Sequence, residues 1–186
     1  MRKLIYIYFL GAALYSCKKT SENVAMHTPA QDTAALPEPE PTPTALAEIQ
    51  ELPPQKISEL INTKNDTLYI TNFFATWCGP CVREMPLFAK KMESLKGSQV
   101  KFTFVSLDAR EDWDSQVKPF AEKMGVNGNV VLLDGEKLPE DFFEKNFSGW
   151  DGTAIPFTHF RKGNETKEFL GGISEGELNT FIQSFK

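Results

Sequence analysis

The chain has 186 residues, three cysteines, two histidines and a formal net charge of −5 at pH 7. An acidic chain with no basic patch argues against nucleic acid as a partner. No P-loop or dinucleotide fingerprint occurs, so nothing calls for a nucleotide or any other cofactor.

Residues 1–16 open with Arg2 and Lys3, run apolar from Leu4 to Leu14 and reach small residues before Cys17. An apolar stretch of about 11 residues is too short to span a bilayer and reads as a secretory signal peptide. Leu14-Tyr15-Ser16-Cys17 resembles a bacterial lipobox, which implies lipid on Cys17. Tyr15 is larger than the residue usual there, and an ordinary signal peptide with an incidental cysteine is the alternative. Lipidation would hold the protein at the cell envelope, facing the periplasm, by acyl chains and without a transmembrane helix. Residues 17–47 carry Pro29, Pro37, Pro39, Pro41 and Pro43 among Thr, Ala and Glu, too few apolar groups to offset ordering entropy. They read as a disordered, semi-rigid linker, with a Pro-rich recognition segment as the alternative. Residues 48–186 remain as one α/β domain.

Within that domain a short helix is expected near residues 56–62, on Ile57, Leu60 and Ile61. Residues 67–75 are β-branched, aromatic and uncharged, as in a central strand buried on both faces. Val82, Met85, Phe88, Ala89, Met92 and Leu95 then recur at helical spacing up to Gly97. Pro80 suits the first turn of that helix, and Pro86 should kink it. A strand over 100–107 follows, giving a parallel pair joined by a helical crossover, with the intervening loop at the strand's carboxyl end. Beyond an acidic loop, Trp113, Val117, Phe120, Ala121 and Met124 predict a helix strained at Pro119. A short strand is expected over 130–133, and a helix over 136–150 with its aromatic face packed on the sheet. The same aromatics could instead form a docking surface. Proline 156 stands at a strand entrance, and Gly163-Asn164 turns into an antiparallel strand over 165–170. The last helix opens with Ser174 and Glu177, a capping box. His159 is read as a strand residue.

Cys78 and Cys81 lie at the strand-to-helix junction. At a helix start, free N–H groups and the helix dipole favour thiolate, and two intervening residues, Gly79 and Pro80, allow a small disulfide. Three other readings exist. A zinc site lacks its remaining ligands, because the third cysteine and one histidine fall in the N-terminal stretch, so no metal is expected. Haem attachment needs a histidine where Val82 stands. A structural disulfide this short would constrain the unfolded chain little.

Phe73-Phe74-Ala75-Thr76-Trp77-Cys78-Gly79-Pro80-Cys81 resembles the active-site segment of the thioredoxin superfamily. Val82-Arg83-Glu84-Met85-Pro86 is similar to its TlpA/ResA branch of membrane-tethered bacterial thioredoxins. The resemblance implies a thioredoxin-like three-layer α/β/α sandwich with a central mixed sheet. It further implies a Cys78/Cys81 dithiol–disulfide cycle on protein clients fed by a membrane electron donor. Trp77 and the Ile155-Pro156 segment would meet the client, with Ile155-Pro156 in the cis form. Gly-Pro between the cysteines is what reducing members carry, which favours a reductase over a thiol oxidase or isomerase. The family's buried aspartate is here Asn72, which cannot act as a base. Glu84, three residues past Cys81, could take its place or could be a plain exposed helix carboxylate. A tethered, non-catalytic binding module is the competing class.

Overall fold

The uncharged run Leu68–Phe74 (β2) forms the middle of a six-stranded mixed sheet in the computed structural model, which describes residues 48–185. The signal peptide expected over 1–16, the lipidation site expected at Cys17 and the linker expected over 17–47 lie outside the described residues. In chain order the remaining elements are β1 (Gln50–Glu51), α1 (Pro54–Ile61), α2 (Gly79–Ser94) and β3 (Val100–Ser106). Then come α3 (Lys118–Met124), β4 (Val130–Leu132), α4 (Phe142–Asn146), β5 (Phe157–Lys162), β6 (Glu165–Leu170) and α5 (Glu175–Gln183). The spatial order is β1-β4-β3-β2-β5-β6, parallel from β1 through β2 and antiparallel for β5 and β6. No helix among the described residues is long and apolar enough to cross a membrane.

Strand alternation divides the core in two. Ile70 and Phe74 of β2 meet Met85 and Phe88 of α2, Ala121 of α3 and Leu178 of α5. Phe73 points the other way, into a cluster with Ile57 and Ile61 of α1, Phe142 of α4, Phe147, Trp150 and Phe157. Sheet and flanking helices therefore make three layers. Each fully buried Phe contributes roughly 2–3 kcal/mol by removal from water, so neither layer is dispensable.

The sequence missed β1, because two residues carry no periodicity. Its Glu51 is held by Arg110 at 2.9 Å and Lys137 at 2.6 Å, and both cations also reach Asp134. The helix expected over 136–150 is a correction. Only Phe142–Asn146 is α-helical, after a 3-10 turn at Gly135–Lys137 and an extended Leu138. Pro139 disfavours helical backbone at the residue before it. The aromatics of this segment pack on the sheet nonetheless, with Phe142, Phe147 and Trp150 buried. The helix expected from Trp113 begins as a π-turn over Trp113–Val117 and becomes regular where Pro119 enters its first turn. Ser174 and Glu177 form the anticipated capping box.

Candidate active site

The loop leaving β2 at its carboxyl end runs straight into α2. Cys78 is the N-cap of α2 with extended backbone, and its sulfur accepts from the Cys81 N–H at 3.3 Å. Pro80 stands in the first turn, where a missing N–H leaves no gap. The two sulfurs are joined as a disulfide at 2.00 Å. Cys81 is fully buried and Cys78 is 5% exposed, so the outer sulfur is the one a reaction partner can meet. Trp77, 68% exposed, flanks it.

The segment entering β5 supplies the opposite wall. The Ile155-Pro156 bond is cis, and the Ile155 carbonyl oxygen lies 3.7 Å from Cys78 Sγ. Cysteine pair, Trp77 and Ile155-Pro156 thus meet at one end of the sheet, although they come from separate parts of the chain.

Further along α2 lies a buried carboxyl. Glu84, on α2 one turn past Cys81, is 5% exposed rather than at the surface. Its carboxyl accepts from Asn72 Nδ2 at 2.9 Å and from the Ile173 N–H at 2.8 Å. Asn72, on β2, also donates to Thr158 Oγ1 of β5 at 3.1 Å. Burial pushes the Glu84 carboxyl up to about 7, against the two hydrogen bonds that favour its charged form. A cleft of about 340 Å³ lined by Pro80, Arg83, Glu84, Gly172 and Ile173 gives this carboxyl a path to solvent.

Sequence reasoning did not single out Asp108. It is 1% exposed, and its carboxyl accepts from the Thr76 N–H at 3.0 Å, from the Thr76 hydroxyl and from Ser106 Oγ at 2.9 Å. It ties the turn before Trp77 to the end of β3. Its only signal was an acidic residue just after a strand. Thr158 and Ile173 were also missed, since neither stands near the cysteines in sequence. His159 is a buried strand residue edge-on to Phe147. No group of three or more His, Cys, Asp or Glu side chains that could hold a metal occurs among the described residues.

The thioredoxin family model matches residues 48–133. The thioredoxin of Coprinus comatus is 32% identical over 78 residues, covering 42% of this chain and 70% of that protein. The thiol-disulfide oxidoreductase ResA of Bacillus thuringiensis is 33% identical over 125 residues, covering 67% of this chain. The match spans just under two thirds, 66%, of that ResA's own length. A thiol:disulfide interchange protein of the thioredoxin family from Chlorobium tepidum shares the fold at a TM-score of 0.54 and 23% identity, covering 64% of this chain and 80% of that one.

Proposed function

The chain belongs to the thioredoxin family, and from that membership we propose that it is a thiol-disulfide oxidoreductase working as a reductase of protein disulfides. The observation that carries the proposal is the N-capping Cys78, joined to a buried Cys81 and facing the Ile155 carbonyl beside an exposed Trp77.

In the reduced protein, Cys78 thiolate attacks one sulfur of a client disulfide. That S–S bond breaks, the other client sulfur leaves as thiolate, and a mixed disulfide forms through Cys78. Cys81 then gives up its proton and attacks the Cys78 sulfur. The client departs as a dithiol with two electrons gained, and the Cys78–Cys81 disulfide described above is the oxidised product. A donor must return two electrons, and we assign that role to a membrane-bound reductant.

Glu84 is the group we assign to the Cys81 proton. A carboxyl near 7 is poised to accept and release protons at neutral pH. Asn72 suits both of its states. In the orientation described, Nδ2 donates to the carboxylate while Oδ1, buried, has no partner among the described residues. When Glu84 is protonated, a turned-over amide presents Oδ1 to accept the carboxylic proton. An ionised aspartate at residue 72 would offer acceptors only. Glu84 therefore occupies the role that the family gives to the missing aspartate.

Lipidation at Cys17 and a linker over 17–47 would place the domain on the outer side of a bacterial membrane. The Cys17 lipobox resemblance supports this location.

The reduction potential tests the direction of electron flow. A value near the roughly −270 mV of thioredoxin supports the reductase, and one near the roughly −120 mV of a strong oxidant makes the protein an oxidase.

A further inference from the structure

We propose that Trp150 is a positioning residue for client binding, whose indole N–H holds the exposed arch over 151–154 that presents the Ile155 carbonyl to the cysteine pair. The inference rests on the disulfide-reductase reading and adds to it a residue remote from the reacting sulfurs.

Trp150 is buried in a box of rings. It stacks on Phe157 at 4.2 Å, with Phe73 at 4.7 Å, Phe143 at 5.0 Å and Phe147 at 5.1 Å. Phenylalanine would fill most of that space. What the indole adds is a donor, and Nε1–H is spent on the Ala154 carbonyl at 2.7 Å. The next residue is Ile155, whose own carbonyl lies 3.7 Å from Cys78 Sγ. Trp150 therefore reaches the site through one peptide unit.

The rest of the arch is fixed in the same sense. Gly152 has φ +82°, and a Cβ there would come within 2.4 Å of the Phe143 ring, so only glycine lets the backbone lie on the box. Asp151 accepts from the Thr153 N–H at 3.0 Å and from its hydroxyl at 2.6 Å. Glu168 of β6 accepts from the Gly149 N–H at 2.7 Å and the Ser148 N–H at 3.0 Å, anchoring the approach to Trp150. Asp151, Thr153 and Ala154 are solvent-exposed, yet the segment is held from below, from within and at its start. Preorganised backbone just ahead of β5, where the strand pairing has not yet begun, lowers the ordering cost of pairing with an incoming peptide. A small disulfide makes no such pairing and gains nothing from the arch.

The bland account is that a buried indole N–H needs some acceptor and Ala154 is the nearest. Two substrates separate the accounts. With the protein as it exists, kcat/KM is measured for insulin with dithiothreitol as the reductant and, in single turnover of pre-reduced protein freed of dithiothreitol, the rate with the small disulfide 5,5′-dithiobis(2-nitrobenzoate). Trp150→Phe should lower kcat/KM on insulin about tenfold, mainly through KM, the rate equivalent of one lost hydrogen bond. The small disulfide should react within twofold of wild type. Replacing the indole by the isosteric benzothiophene, which keeps shape and loses the N–H, should do the same, and Gly152→Ala should act in the same direction by lifting the arch. Equal losses on both substrates, or a benzothiophene protein that behaves as wild type, would overturn the proposal. Wild-type protein that reduces neither substrate overturns the reductase reading instead.

Discussion

Asn72 on β2 donates to Glu84 on α2 at 2.9 Å, a hydrogen bond that joins the central strand to the active-site helix inside the core. It is the point where this chain departs from the family's buried aspartate, and it carries a pH dependence. Because burial raises the Glu84 carboxyl from 4.5 to about 7, its contribution to stability is complete below the unfolded value and is lost as pH rises through 7. Oxidised wild type should lose about 2–3 kcal/mol from this group between pH 5 and pH 8. Urea unfolding at the two pH values checks it, with Glu84→Gln removing that difference.

Activity should report the same carboxyl. Glu84→Gln should slow resolution of the mixed disulfide by about 10²-fold, the usual scale for a lost proton-transfer group. Quenched-flow measurement of client release from the Cys78 adduct should also lose its inflection near pH 7. An unchanged profile would assign the Cys81 proton to another group.

His159 titrates in the opposite direction. Burial in β5, with Arg161 adding to it, pulls the imidazole down from 6.5 to about 4. Its contribution is therefore present above 6.5 and lost as pH falls through 4. His159→Gln should flatten the acid limb of the stability curve by about 2–3 kcal/mol between pH 7 and pH 4. Around pH 5–6 the Glu84 and His159 slopes oppose each other in wild type, so only the single variants separate them.

Asp108 should matter more to the site than its distance in sequence suggests. Asp108→Ala removes acceptors from the Thr76 N–H, the Thr76 hydroxyl and Ser106 together, which should cost about 1–3 kcal/mol of stability. Asp108→Asn keeps one oxygen and should cost less. Thermal unfolding of both variants gives the order.

Trp77 makes the contrasting case. At 68% exposure it stabilises little, so Trp77→Ala should move unfolding by no more than about 0.5 kcal/mol while raising KM for a polypeptide disulfide several-fold. A large loss of stability would mean the indole is structural.

What the sequence made legible follows from where local chemistry decides. The cysteine pair, its helix, the buried strand before it and the Ser174 capping box are written in short patterns of residue type and spacing, and each stands where expected. β1 was not legible, because a two-residue strand depends on Arg110 and Lys137 from elsewhere in the chain. The helix over 136–150 was misread, because aromatic spacing outweighed Pro139. Glu84 was recognisable as a candidate, but its burial depends on Asn72 and Ile173, which only the fold brings to it. Asp108 acts through hydrogen bonds from Thr76 and Ser106 and Trp150 through one to Ala154, contacts for which no periodicity exists.

The most direct test of the account is a single-turnover reaction of pre-reduced protein with a disulfide-bonded polypeptide, resolved by mass spectrometry. Wild type should reduce one client disulfide per molecule and end with Cys78 joined to Cys81, Cys81→Ser should stop at a client adduct on residue 78, and Cys78→Ser should do nothing. Reduction by Cys78→Ser at the wild-type rate, or no adduct on Cys81→Ser, would contradict it.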